Sequence, residues 1–138
     1  MDLNLSEKLL DILIDNSRRV LDAGFGIGWA ESTFIEVVRL LRQEHELKQK
    51  FLSRVKDVLA NTDSSRQSAS LPPIELVEFV SHEIRWPELL SLAQLRIDNL
   101  SRADKNLAVG DISSRIKEAF ADNWPDREFY RCYDGGGV

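Results

Sequence analysis

What most restricts this chain is the spacing of its apolar residues. Leu10, Leu13, Ile14 and Leu21 share one helical face with Ser17, and Leu9 and Val20 widen the stripe. The period returns in Phe34, Val38, Leu41, Leu52, Val55 and Leu59, with Val37 and Phe51 beside them. It returns again in Leu76, Val77, Val80 and Ile84, in Leu89, Leu92, Ala93 and Leu100, and in Ile112, Ile116, Ala119 and Phe120. Amphipathic helices bury their stripes against one another, so the pattern predicts helices packed on helices rather than a sheet. The expected fold is an all-α, single-domain bundle of about five helices, spanning residues 1–138.

Caps and breakers place the helix ends. Asn4 to Glu7 has the form of a capping box, with Ser6 as the competing cap, so the first helix is expected from about Glu7 to Asp22. Gly24 is suited to the left-handed conformation that closes many helices. Gly24 to Trp29 alternates glycine with large apolar residues and reads as a bend. From about Ser32 a single long helix is expected to reach Leu59, at about 1.5 Å per residue roughly 45 Å in all. His45 and Lys48 interrupt its stripe, so it is either exposed in the middle or bent there. That length predicts a helix that projects or pairs with a second copy of the chain.

Residues 61–73, NTDSSRQSASLPP, read as a flexible loop. Pro73 fits the first position of a helix from Ile74 to about Arg85. Trp86–Pro87 stops that helix and Pro87 opens the next. The stretch RADKNLAVGD reads as a loop, Asp111 or Ser113 caps a short helix ending near Asn123, and a frayed tail is expected at 134–138.

Composition narrows the function classes. The formal net charge of -5 and pI near 5.1 disfavour a general grip on nucleic acid and favour solubility or a basic partner protein. A single cysteine, Cys132, forms no internal disulfide. The first residues carry acids among their leucines, unlike a signal peptide, and no apolar run approaches the roughly 20 residues that span a bilayer. A cytoplasmic location and no membrane association are expected.

The candidates for chemistry are few. In Val20 to Gly28, VLDAGFGIG, the positions Val20, Leu21, Asp22, Gly24, Gly26 and Gly28 resemble the first motif of class I methyltransferases. That resemblance implies a strand, a glycine loop curled around S-adenosylmethionine, and a ribose-binding acid at Glu44 or Glu46. The residues' own pattern gives a different reading. Val20 and Leu21 continue a helical stripe, FIEVVRLLRQEHEL is a charged helix, and no set of apolar strands follows. His82–Glu83 begins like a zinc-protease motif but lacks its second histidine, and Glu44 pairs with Lys48 rather than with His45 at ligand spacing. Cys132 has no orienting base in any local motif. No catalytic residue, metal site or cofactor is assigned.

Binding is the better reading. Phe25 and Trp29 in the glycine bend, His82 and Arg85 beside Trp86, and Trp124, Arg127, Tyr130 and Tyr133 combine aromatics with charge, as interface hot spots do. We expect a non-catalytic protein-binding module, in the manner of immunity, antitoxin or adaptor proteins. It would bury an aromatic and aliphatic patch against a partner protein or a second copy of itself. Two other readings compete. One is a small-molecule or S-adenosylmethionine-binding enzyme built on Asp22, Gly24, Gly26 and Gly28. The other is a helical nucleic-acid binder using Arg39, Arg42, Lys48, Lys50, Arg54 and Lys56, among which Glu44, Glu46 and Asp57 are interspersed.

Overall fold

The structure is a computed structural model, and it describes residues 2–60, 71–103, 111–121, 124 and 130. Among these every element is a helix. They are α1 (Leu3–Asp22), α2 (Ile27–Gln43), α3 (Leu47–Ala60), α4 (Ile74–Ile84), α5 (Pro87–Ala103) and α6 (Ile112–Ala119). The all-α expectation holds, with six helices where about five were expected. Arg127, Cys132, Tyr133 and the tail at 134–138 lie outside the described residues. So does most of the loop expected at 61–73, although Leu71 and Pro72 at its end are buried rather than loose.

α1 starts earlier than its expected capping box. Asp2 is the cap, its carboxylate accepting a hydrogen bond from the backbone amide of Asn4. Ser6, the competing candidate, is buried and donates instead to the carbonyl of Leu3. At the other end Gly24 has φ +92°, and the bend that follows is short. α2 begins at Ile27, so Gly28 and Trp29 belong to its first turn rather than to the bend. The α1–α2 pair is an antiparallel hairpin. Asn16 donates to Thr33 across it, while Leu9 and Leu13 share a shallow groove with Leu40 and Gln43.

The expected long helix is two helices, and this removes the length that suggested projection or self-pairing. The chain leaves helical geometry at Glu44 (φ -112°, ψ 83°) and restarts at Leu47. The cause is a slip in the apolar phase. In an unbroken helix Leu47 would lie about 120° from the centre of the α2 stripe at 100° per residue. Breaking the helix lets Leu47 and Phe51 become fully buried. Lys50 then pins α3 onto α1, bonding the Glu7 carbonyl and the Asp11 carboxylate.

Two residues, Arg85 and Trp86, join α4 to α5. Arg85 takes a left-handed conformation (φ 59°), and Pro87 opens α5 as expected. α3 and α5 lie side by side and run in the same direction. Near their starts Lys48 pairs with Glu88 (2.6 Å), and further along the Arg96 guanidinium, midway in α5, donates to the Leu59 carbonyl near the end of α3. α6 closes the bundle against α4 and α5; of its two expected caps, Asp111 and Ser113, the first is used, its carboxylate accepting from the Ser113 amide. The core draws on all six helices.

Candidate functional site

The aromatic candidates separate into two groups. His82, Trp124 and Tyr130 are interior side chains, 8%, 3% and 1% exposed. They extend a stack that begins at Phe34 and runs through Phe79. Phe79 lies 4.9 Å from Tyr130, Tyr130 5.4 Å from Trp124, and Trp124 4.8 Å from His82, between ring centroids. His82 is fixed by its Nδ1, which lies 2.7 Å from the carbonyl of Ala119. A carbonyl only accepts, so Nδ1 carries a hydrogen. These three residues therefore hold the α4–α6 end of the bundle together within one chain and offer no surface to a partner.

Arg85 is on the surface, and its guanidinium donates to the carbonyls of His82 and Phe120. Trp86 is half-buried against Phe51 (6.3 Å), with the Lys48 ammonium 5.5 Å from its ring centre. Both residues are used to hold the α4–α5 joint.

Phe25 and Trp29 are different. They stand at the α1–α2 corner, 53% and 72% exposed, with ring centroids 5.7 Å apart. Trp29 is in the first turn of α2 and Phe25 lies just before its cap Gly26, whose extended backbone joins the two. A Cβ placed on Gly24, Gly26 or Gly28 would meet nothing within 4 Å. The glycines leave the corner bare rather than making room for a neighbouring part of the chain. Gly26 caps α2 without a side-chain hydrogen bond.

The fold implied by the methyltransferase resemblance is not found. Among the described residues there is no strand. Asp22 ends a helix and forms an ion pair with Arg18, Gly24 is a turn, Gly26 is a cap and Gly28 is helical. The basic residues of the expected long helix are largely committed within the chain. Arg39 pairs with Glu36, Lys48 with Glu88, Lys50 and Arg54 with Asp11, and Arg42 donates to the Glu83 carbonyl. No group of three or more His, Cys, Asp or Glu residues among those described is placed to hold a metal ion, and no described helix is long and apolar enough to cross a membrane.

Several charged contacts had no sequence signal. Glu78, 1% exposed, is paired with Arg115 of α6. Asp111 pairs with Arg96 at 2.7 Å. Burial pushes the Asp111 carboxyl up, but hydrogen bonds from Arg96 and Ser113 outweigh it and hold the pKa at about 2. At the surface, the Lys48 hydrogen bond lowers the Glu88 carboxyl.

A second surface was also missed. A groove of about 520 Å³ runs between α3 and α5, walled by Leu52, Leu92 and Leu95, and a further 310 Å³ hollow continues it towards Leu100. The signal was present in the sequence. The apolar residues of α5, from Leu95 round to Leu90, spread over about 220° of the helix, wider than one core-facing stripe.

No protein family, no curated protein and no solved structure matches this chain.

Proposed function

We propose that this chain is a non-catalytic protein-binding module whose α1–α2 corner is the anchor. The observation that carries the proposal is the Phe25–Trp29 pair, two large rings held against each other and left largely in water. Tryptophan at 72% exposure keeps most of its apolar area hydrated, so covering it on binding is favourable. The pair offers on the order of 250 Å². A stable interface buries roughly 800 Å² on each partner, so the pair is the centre of a contact and not the whole of it. The bare glycines around it let a partner's backbone come close.

The test is affinity capture with the wild type beside a Phe25→Ala/Trp29→Ala variant, with circular dichroism to confirm equal helicity. A protein retained by the wild type and lost from the variant supports the reading. Identical captured sets overturn it.

A further inference from the structure

α5 is a thinly covered helix. Among its described apolar side chains Leu89 and Ala93 are buried, while Leu90, Leu92, Ile97 and Leu100 are half-covered and Leu95 is 60% exposed. Leu92, Leu95 and Leu100 line the groove shared with α3. Because the two helices run in the same direction, that groove is a straight trough from about Gln49 to Ala60, roughly 17 Å or three helical turns long.

Its charge is the reverse of the molecule's. Glu88 and Arg96, at its edges, are bound to Lys48 and Asp111. Lys56 lines both parts of the trough and makes no ion pair or hydrogen bond with a described residue. A chain of net charge -5 thus carries, among its described residues, a cation between leucines with no counter-ion.

We propose that the α3–α5 trough seats an amphipathic helix of a partner protein, with its apolar side on Leu52, Leu92 and Leu95 and a carboxylate opposite Lys56. Shape selects a helix over a small aliphatic acid. The trough is open along its length and one wall is Leu95, so a lone hydrocarbon tail would stay half in water, whereas enclosed ligand sites bury most of their ligand. A helix needs only one stripe covered, and three turns match the length available. The single cation on an apolar floor specifies an acid flanked by leucine-like residues one turn away on either side.

This rests on the protein-binding reading above but uses another face, so the two are tested separately. The probes are two fluorescein-labelled designed helical peptides of about four turns, with one leucine stripe. They are identical except for Glu or Lys at the position facing Lys56, and binding is read by fluorescence anisotropy. The Glu peptide should bind the wild type about tenfold more tightly than the Lys peptide. Lys56→Glu should reverse that preference, and Leu95→Asp should weaken both peptides about tenfold. Trp29→Ala should bind as the wild type does, whether or not the corner proves to be an anchor. Both Lys56 and Leu95 are exposed, so these variants keep the fold. Equal binding of the two peptides, indifference to Leu95→Asp, or no binding at about 1 mM peptide would overturn the proposal. So would Lys56-dependent binding of decanoate with none of the Glu peptide, which would make the trough a site for a small acid.

Discussion

The α1–α2 corner and the α4–α6 end of the bundle are built from the same kinds of residue and end in opposite states. At the corner, Phe25 and Trp29 lie against each other with more than half of each side chain in water. At the bundle end, Phe79, Tyr130, Trp124 and His82 form a continuous buried stack. The difference comes from what stands alongside. Three glycines with open space beside them border the corner, whereas α2, α4 and α6 converge on the stack. An aromatic residue near a helix end is a packing element or a docking element according to its distant neighbours.

The sharpest way to break this comparison is to truncate one ring in each region. Phe79→Ala should cost about 3–5 kcal/mol in urea unfolding, as a large cavity in a rigid core does. Trp29→Ala should stay within about 0.5 kcal/mol of the wild type. Equal losses would mean that the corner is part of the core.

Acid should act on one region and spare the other. The Asp111 carboxylate, held at about 2 against an ordinary 3.8, contributes stability that is fully present above pH 3.8 and is lost as pH falls through about 2. Its share is at most about 2 kcal/mol, since part of that side chain meets solvent. Asp111→Asn should remove that share near neutrality and flatten this part of the acid limb. Trp124 emission, followed with Trp29 and Trp86 replaced by phenylalanine, should report the loosening first.

The glycines give a smaller contrast. Gly24→Ala should destabilise by about 1 kcal/mol, because an L-residue is strained at φ +92°. Gly28→Ala, helical and facing open space, should stabilise by up to about 1 kcal/mol. A glycine loop wrapped around a ligand would suffer at both positions. Finally, acrylamide should quench Trp29 several-fold faster than Trp124, compared in variants that each keep one of the two.

Much of the fold was legible in the residues. Gly24 ends α1, Trp86–Pro87 separates two helices and Asp111 caps α6, because each signal acts on its own backbone. The break at Glu44 carries no glycine or proline; the interruption of the stripe at His45 and Lys48 left a bend there as one of two readings, and the phase of Leu47 and Phe51 decides for it. The candidate site was half legible. Phe25 and Trp29 were singled out together with His82, Trp124 and Tyr130, and nothing local tells the exposed pair from the buried three. The trough was hidden for the same reason. Leu92 fits a core stripe until α3 is seen running beside it with Lys56 in the seam.

α6 is only eight residues long, too short to persist alone in water. Yet it and the residues at its two ends supply the carbonyl that orients His82, the carbonyl that fastens Arg85, the counter-ion of Arg96 and the guanidinium that neutralises buried Glu78. The helix exists because its neighbours hold it, and they keep their places because it holds them. Such a keystone leaves no room for piecemeal loss: amide protons of α4 and α6 should share one opening free energy in hydrogen exchange, through a single opening of that end of the molecule.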